Sequence, residues 1–444
     1  MHVLLISYEF PPKGGPGVLR PAKIARYLAE AGWDVSVLTV ADPPSALIDE
    51  ALAAGIPASV DVRRAWSLEP TRLVQWLRAP TRGTLDVPEE PPAATPGYSG
   101  LPPWAIRFVQ AFFLPDEKVG WTSYALREAE RLHAERPIDV ILASGPPFTA
   151  LRIARKLAAR LGTPWVADLR DPIVGNYFYR PPTPLHARYR ERFERRVAAS
   201  ASAIVTVTEP MREALLTRTG IADDRVVTVP NGFDPSDFSG LTRRPHDGFR
   251  ITYVGSFQGS IQPNTFLEAV ASASRADTEF ARDARVRFVG NATPPAEEAV
   301  RAAGLVDRVE IVGPVPHRAA VQEMLDAEVL LLVLGPEPES RAILTGKLPE
   351  YMGAHRQILG MVPEGVAADI LDRYGAASIV SPTDADAASD AILGMYEAWR
   401  AGSEPAPAED VVRSFDRRAQ VNRIAQVLAA VASRGQHGGG VADA

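Results

Sequence analysis

Short apolar runs alternate with helical segments along most of the chain. The runs are rich in Val, Ile and Leu, which is typical of buried parallel strands. They cover residues 3–6, 35–40, 139–143, 164–167, 203–208, 226–229, 249–254, 286–289, 309–312, 329–334, 358–361 and 377–380. Strands that alternate with helices predict α/β domains built on parallel sheets.

The strand pattern divides into two halves of similar layout. Residues 239–248 are polar, basic and turn-rich, as expected of a linker. We therefore predict two Rossmann-like, doubly wound domains that face each other across a cleft, residues 1–240 and 247–410. A long helix near 411–434 is expected to complete the first domain, before a Gly-rich, disordered tail at 435–444. The length of 444 residues also suits two domains.

Residues 41–120 interrupt this pattern. They include a helix-like segment at 71–78, a proline-rich patch at 88–96 and an aromatic stretch at 103–113. On a helix, Trp104, Phe108 and Phe112 would form one stripe. Such a stripe belongs either to a core helix or to a lid or interfacial helix that meets a lipid-linked acceptor, and the sequence leaves both open.

Composition excludes several classes of function. A net charge of −6 without a basic tract argues against a nucleic-acid partner. The absence of cysteine removes disulfides and thiolate metal sites, and seven scattered histidines form no convincing metal cluster. No run is long enough to span a bilayer and no leader precedes the first strand, so a cytoplasmic location is expected. Peripheral contact with the inner membrane face stays open, and oligomeric state is not set.

The first candidate site follows the strand at 329–334. A helix is expected to begin near 347–349, because proline fits the first helical turn. Gly346 allows close approach of the backbone, and Lys347 adds a charge suited to phosphate. Glu350, three residues later, can accept two hydrogen bonds from a ribose diol. A nucleotide site is one interpretation; a solvated lysine and a glutamate that complements the helix dipole is the other.

The glycine-rich loop after the first strand is a second candidate. Its glycines fall at 14, 15 and 17 and do not match the dinucleotide motif G-x-G-x-x-G, so nicotinamide or flavin binding is weakly supported. Gly15 and Gly17 either receive a phosphate or sugar, or only make a tight turn.

The third candidate is a charged cluster after the strand at 164–167. Asp168 or Asp171 could orient or deprotonate an acceptor hydroxyl, and Arg170 could hold a phosphate or keep Asp171 ionised. The alternative is an Asp–Arg pair that braces the loop. The D-x-D of Asp384 and Asp386 is interpreted as a solvated turn.

Several stretches in order resemble the family 4 glycosyltransferases with the GT-B fold, particularly bacterial members of polysaccharide and secondary-metabolite glycosylation. The resemblance covers most of the chain outside 41–113. It rests on PPKGGPG at 11–17, LPDEKVGW at 114–121, SGPP at 144–147, PWVADLRDP at 164–172, VPNG at 229–232, YVGS at 253–256 and KLPEY at 347–351.

The resemblance implies a nucleotide-sugar donor held mainly by the second domain and an acceptor on the first. It implies that Glu350 binds the ribose hydroxyls and that Lys347 lies near the diphosphate. Backbone amides and cationic side chains would stabilise the leaving diphosphate in place of a metal, and no cofactor is expected. The expected donor-binding residues are Gly15, Gly17, Gly255, Ser256, His317, Thr345, Gly346, Lys347 and Glu350. The expected acceptor-binding residues are Ser144, Phe148 and Trp121.

The sequence departs from the family pattern in two places. Ala342 occupies the position of an acidic residue that contacts the donor sugar, with Glu337 and Glu339 near enough to substitute. The loop at 256–260 lacks the expected arginine and lysine, which places more of the diphosphate charge on Lys347, on the amides of 255–259, and on Lys13 or Arg170.

The sequence therefore predicts a retaining, metal-independent transferase that moves a hexose-type sugar, with a UDP-sugar favoured, to a hydroxyl of a small-molecule, glycan or lipid-linked acceptor. Retention is implied by the family alone. Three alternatives remain: an epimerase or hydrolase of nucleotide sugars, a catalytically silent partner that binds them, and, with the least support, a nicotinamide oxidoreductase.

Overall fold

A computed structural model describes residues 1–41, 48–68, 113–176, 181–257, 261–291 and 294–438. The interrupting segments at 71–78, 88–96 and 103–112 lie outside the described residues, as do residues 439–444 of the tail. The described chain forms two compact units. Unit 1 contains the described residues up to Pro230 and from Arg418 onward, and unit 2 runs from Asn231 to Arg417.

Unit 1 is built on a parallel sheet of seven described strands in the order β3-β2-β1-β4-β5-β6-β7. The strands are β1 (His2–Ile6), β2 (Asp34–Val40), β3 (Asp61–Ala65), β4 (Val140–Gly145), β5 (Trp165–Leu169), β6 (Ala203–Thr206) and β7 (Val226–Thr228). The helices are α1 (Pro16–Glu30), α2 (Glu50–Ala54), α3 (Thr122–Glu135), α4 (Thr149–Leu161), α5 (Pro184–Ser200) and α6 (Glu209–Thr219). Apolar clusters cover both faces of the sheet, which explains why most strands read as continuous apolar runs.

Strand β3 and helix α2 were not predicted, because the sequence pattern was interpreted as broken after residue 40. Strand β3 lies at the edge of the sheet and pairs with β2 from Asp61 to Ala65. Its middle residues, Arg63 and Arg64, interrupt the apolar run by which the other strands were predicted. Arg63 is satisfied by ion pairs with Asp61 (2.9 Å) and Glu135 (2.8 Å), an arrangement that suits an edge strand.

Unit 2 is built on a parallel sheet of six described strands in the order β10-β9-β8-β11-β12-β13. The strands are β8 (Phe249–Val254), β9 (Ala284–Val289), β10 (Val309–Gly313), β11 (Val329–Val333), β12 (Gln357–Met361) and β13 (Ala377–Val380). The helices are α7 (Pro235–Phe238), α8 (Asn264–Ala276), α9 (Thr278–Asp283), α10 (Pro294–Ala302), α11 (His317–Asp326), α12 (Lys347–Gly353), α13 (Val366–Tyr374), α14 (Ala385–Ala401) and α15 (Glu409–Ser414). Strand order reverses between β8 and β11, and ligands of doubly wound sheets bind at such a switch point.

The segment interpreted as a linker belongs to unit 2 and is tied to it by ion pairs. Arg244 donates to both oxygens of the buried Asp326, through its backbone N–H (2.8 Å) and Nε (2.7 Å). Arg243 pairs with the buried Glu328, which also accepts from the N–H of Arg250 (2.7 Å). The division between units therefore falls after Pro230, earlier than the boundary at 240–247 suggested by composition.

The predicted C-terminal helix is two helices. Helix α15 ends at Ser414, and α16 (Arg417–Gly438) follows. Between them the chain pairs with Phe233, whose N–H donates to Phe415 O (3.0 Å) and whose carbonyl accepts from Arg417 N (2.8 Å). Val412 and Phe415 pack in unit 2, whereas Val421, Ile424, Leu428 and Val431 pack in unit 1. Among the described residues, no helix is long and apolar enough to cross a membrane.

Candidate functional site

In unit 2, a glycine directly follows the carboxyl end of β8, and another follows the carboxyl end of β9. Gly255 follows β8 with φ of 139°, and its N–H donates to Val289 O (2.8 Å). Gly290 follows β9 with φ of 127°, and a Cβ there would lie 2.2 Å from Gly255 O. These positive φ values and close backbone contacts require glycine. Gly255 and Gly290 thus form a backbone surface without side chains beside the switch point, which we call the glycine ledge.

Lys347 lies against this ledge. Helix α12 begins at Lys347, as the proline pattern predicted, and the Lys347 N–H donates to Thr345 Oγ1 (3.0 Å). A Cβ on Gly255 would be 2.5 Å from Lys347 Nζ, so the ammonium occupies the space that the glycine leaves open. Gly346 precedes the helix, is exposed, and has no heavy atom within 4 Å of a Cβ position.

The Lys347 side chain is half-buried, and within the described part of the chain its amine has one hydrogen-bond partner. Its Nζ donates to the hydroxyl of Tyr253 (2.6 Å) and lies 4.0 Å from the centre of that ring. Burial lowers the pKa of Lys347 to about 7, and the nearby Glu350 carboxylate opposes this shift. An amine held near neutrality gains full charge when an anion approaches, which suits binding of a phosphate.

Glu350 is on the same face of α12, one turn after Lys347. Its Oε1 is 3.8 Å from Nε2 of His317, the first residue of α11. The same nitrogen hydrogen bonds with Asp237 Oδ2 on α7 (3.2 Å). The structure therefore brings together three residues that the sequence predicted for the donor site, Lys347, Glu350 and His317. It adds Asp237 and Tyr253, to which the sequence analysis gave no role. Tyr253 lies within a stretch that carried the resemblance, but Asp237 had no sequence signal.

Ser256 lies at the start of the loop after β8, and its carbonyl accepts from the Tyr253 hydroxyl (3.0 Å). Asp384 caps α14 by accepting from Ala387 N (2.9 Å), in agreement with the interpretation of this D-x-D as a turn. Within the described ranges, no group of three or more His, Cys, Asp or Glu residues could hold a metal ion.

In unit 1, Asp168 is the last residue but one of β5 rather than part of the following loop. It is fully buried and bonded on both oxygens. Arg20 donates to Oδ1 (2.7 Å from Nη2), and Ser144 donates to Oδ2 (2.7 Å). Arg20 also donates to the carbonyls of Val229 (3.2 Å) and Pro230 (3.1 Å). This geometry favours a bracing role for Asp168. Its partner Arg20, on α1, was not predicted from the sequence.

Arg170 connects the first turn of α1 to the loop that follows β4. Its guanidinium donates to the carbonyls of Gly17 and Pro146, and its N–H donates to Gly145 O (2.8 Å). Burial lowers the pKa of Arg170, while Asp168, Asp171 and Glu9 oppose the shift. Gly17 is thus a contact of Arg170, whereas Gly15 (φ of 114°) has open space where a Cβ would stand.

Asp171 differs from Asp168. It is half-buried, and no hydrogen bond or ion pair joins its carboxylate to another residue in the described part of the chain. Burial raises the pKa of Asp171, and the adjacent Arg170 opposes the rise. A carboxylate with an elevated pKa at the carboxyl end of a strand has the properties of a general base.

The three residues expected to bind acceptor are buried. Trp121 packs edge-on against Tyr8 with ring centres 5.6 Å apart, and Phe148 lies in the core of unit 1 with the Arg190 guanidinium over its ring at 5.3 Å. The Ser144 hydroxyl is used by Asp168. This placement favours roles in supporting the site, because none of the three exposes a surface to an acceptor.

Comparison with known proteins bears on both units. Residues 14–232 match the model of the glycosyl transferase 4-like domain. Residues 14–232 therefore form a glycosyl transferase 4-like domain. The resemblance seen in the sequence is thereby confirmed.

A D-inositol 3-phosphate glycosyltransferase of Catenulispora acidiphila is 29% identical over 139 residues, or 28% of this chain. The match spans about a third (33%) of the length of that curated relative. The structure of HepE from Anabaena in complex with UDP superimposes with a TM-score of 0.63 at 14% identity, over 97% of this chain and 99% of that one.

Two further structures show the same fold. HepE in complex with UDP-glucose has a TM-score of 0.62 at 15% identity, over 97% of this chain and 100% of that one. Sucrose-phosphate synthase of Thermosynechococcus elongatus has a TM-score of 0.60 at 16% identity, over 98% of this chain and 97% of that one. The predicted GT-B fold of two Rossmann-like domains is confirmed.

Proposed function

We propose that this protein is a retaining, metal-independent glycosyltransferase. It moves a hexose-type sugar from a nucleoside diphosphate sugar, with UDP favoured as the nucleotide, to an acceptor hydroxyl. The polysaccharide or secondary-metabolite pathway comes from the sequence resemblance. The donor belongs to unit 2, and the acceptor chemistry belongs to unit 1.

The observation that carries the proposal is the placement of Lys347 and Glu350 on one face of α12 beside the glycine ledge. The ledge lets a diphosphate approach the backbone closely, Lys347 supplies positive charge, and Glu350 offers two oxygens to a ribose diol one turn away. The complexes of HepE with UDP and UDP-glucose support a nucleotide-sugar donor, since they share the fold.

Charge on the leaving diphosphate is stabilised by side chains and amides in this proposal. Lys347 gains its proton as the phosphates bind, and the N–H groups of the loop after β8 add partial positive charge. Asp171 accepts the proton of the acceptor hydroxyl, with Arg170 holding the neighbouring loops together. Asp168 positions β5 through Arg20 and Ser144.

The curated relative suggests which acceptors to try first. Its name, D-inositol 3-phosphate glycosyltransferase, makes a phosphorylated polyol a rational first acceptor, beside simple glycans and lipid-linked sugars. The short span of that match leaves the acceptor to be determined by assay.

A second candidate is epimerisation or hydrolysis of a nucleotide sugar. A structure described as a putative UDP-N-acetylglucosamine 2-epimerase of Listeria monocytogenes has the same fold, with a TM-score of 0.58 at 12% identity over 98% of this chain and 97% of that one. The carboxylate of Asp171, which has no hydrogen-bond partner among the described residues, would serve such a reaction as well as it serves transfer.

The decisive assay incubates the full-length protein with UDP-, GDP-, ADP- and dTDP-hexoses, each with and without an acceptor panel and with and without EDTA. Transfer predicts nucleotide release that depends on acceptor, persists in EDTA and yields a product with the donor's anomeric configuration by NMR. Release or isomerisation without acceptor would instead establish the second candidate. Binding without turnover of any sugar would establish a silent partner.

A further inference from the structure

Tyr253 connects the lysine of α12 to the loop after β8. Its hydroxyl accepts from Lys347 Nζ (2.6 Å) and donates to the Ser256 carbonyl (3.0 Å), so both functions of the hydroxyl are used. The ring is fixed by stacking on Phe257, with centres 4.1 Å apart and planes 9° apart. Tyr253 is itself fully buried.

Among the described residues, the Lys347 amine has one hydrogen-bond acceptor, the Tyr253 hydroxyl, and no carboxylate in direct contact. A lysine ammonium has three hydrogens, and the Tyr253 hydroxyl takes one of them. Around Lys347, the titratable groups that the described residues supply are Tyr253 from β8 and, on α12 itself, Glu350 and Tyr351; Glu350 in turn faces His317. The Tyr351 hydroxyl accepts a hydrogen bond from the N–H of Val254 (2.9 Å).

We propose that Tyr253 is a positioning residue for the donor's diphosphate, because its hydroxyl holds the Lys347 amine against Gly255 with its remaining hydrogens available to phosphate oxygens. This inference rests on the proposed function and extends it to a residue outside the sequence predictions. A flexible lysine stem loses considerable rotational freedom when it binds a ligand, and a lysine already held in place loses less. The lack of a basic residue at Ser256 or Phe257 increases the dependence on this one amine.

Burial of the amine supports the same inference. With the pKa of Lys347 at about 7, about half of the amines are neutral at pH 7, and a bound diphosphate restores the charge. Nucleotide binding should therefore take up about half a proton at pH 7 and clearly less at pH 6.

The test is a double-mutant cycle on the full-length protein. Affinity for the nucleoside diphosphate that binds the wild type, and for its nucleoside, is measured in Tyr253→Phe, Lys347→Met and the double variant. We expect Tyr253→Phe to weaken the diphosphate about tenfold, as for a hydrogen bond to a charged group, and to leave the nucleoside unchanged. In the Lys347→Met background, Tyr253→Phe should have no further effect.

The matched control is Tyr374→Phe, since Tyr374 is also buried in unit 2 and donates its hydroxyl to a backbone carbonyl, that of Arg356 (2.9 Å). Its effect should be the same with and without Lys347. Equal losses from Tyr253→Phe in both backgrounds, or equal losses of diphosphate and nucleoside, would show a merely structural tyrosine and overturn the proposal.

Proton uptake measured by calorimetry in two buffers of different ionisation enthalpy needs no variant. It tests whether the Lys347 amine gains charge on binding, with an uptake of about half a proton expected at pH 7. If Tyr253→Phe does not fold, Phe257→Leu, which removes the ring stacked on Tyr253, replaces it in the cycle. A loss of diphosphate affinity that depends on Lys347 supports the proposal, and a loss that is equal in both backgrounds overturns it. A wild type that binds no nucleotide would overturn the proposed function and this inference together, whereas nucleotide binding that does not depend on Tyr253 would overturn this inference alone.

Discussion

Lys347 makes the stability of the ligand-free protein depend on pH. Burial lowers its pKa from an ordinary 10.5 to about 7. Between these values the unfolded chain binds more protons than the folded one, so the wild type gains stability as pH rises through this window. Below about pH 7 the folded protein carries the cost of an enclosed ammonium.

Replacement of Lys347 by methionine should remove this dependence. We expect Lys347→Met to be more stable than the wild type by about 1–3 kcal/mol near pH 6, with the difference shrinking toward pH 9. Urea unfolding at several pH values measures it. A difference that does not change with pH would mean that the amine stays charged in the folded protein.

Asp168 should act mainly on stability. Its pair with Arg20 is buried on both sides, and the removal of one partner leaves an uncompensated charge. Asp168→Asn is therefore expected to lower the free energy of unfolding by about 3–5 kcal/mol, measured by denaturant titration. Asp34→Asn is a matched control, because the Arg136–Asp34 pair is partly exposed and should contribute about 1 kcal/mol or less. A stable Asp168→Asn protein without turnover would instead make Asp168 catalytic.

Asp171 should act on turnover. Its carboxylate makes no hydrogen bond to the rest of the described chain, so Asp171→Asn is expected to leave the melting temperature nearly unchanged. As the proposed base, its loss should slow transfer by about 10²–10⁴-fold. Because a base must be ionised, wild-type turnover should fall as pH drops through the raised pKa of this group. Full activity in the variant would exclude the role.

The ends of β8 and β9 determine where a ligand can approach. Gly255→Ala would place a Cβ 2.3 Å from Lys347 Cε at a φ of 139°, so the lysine must move. We expect a stability loss of about 1–3 kcal/mol together with weakened nucleotide binding. Gly304→Ala is the matched control, since Gly304 has a φ of 68° and open space around it. Gly304→Ala should lose stability through backbone strain but keep its nucleotide affinity. Equal nucleotide affinity in the two variants would contradict a role of Gly255 in nucleotide binding.

Individual elements differ in how well their sequence reports them. Strands buried on both faces, such as β11, have continuous apolar sequences, and the pattern placed them within a few residues. Strand β3 was missed because an edge strand tolerates arginines, and the break between α15 and α16 was missed because it depends on pairing with the distant Phe233. Periodicity reports local burial and carries no information about such long-range partners.

The two-unit organisation and the GT-B fold could be predicted from strand–helix alternation and motif order. The exact boundary could not, because the basic segment before β8 resembles a linker in composition but binds two buried acids, Asp326 and Glu328. Lys347 and Glu350 could be proposed as nucleotide residues from the sequence because they follow a strand at the expected switch point, and that role stays a prediction. The difference in surroundings between Asp168 and Asp171 depends on Arg20 from α1, which only the folded chain reveals.

Glu350 and Lys347 are proposed to form a nucleotide site in unit 2. The most direct measurement is a thermal-shift screen of the full-length protein against UDP, GDP, ADP and dTDP, with Glu350→Ala and, as control, Glu397→Ala, an exposed acid on α14. A nucleotide at a hundred times its dissociation constant should stabilise by about 2.7 kcal/mol and raise the melting temperature by a few degrees. We predict that one nucleotide, UDP first, shifts the wild type and Glu397→Ala but not Glu350→Ala. No shift with any nucleotide, or a full shift in Glu350→Ala, would contradict the account.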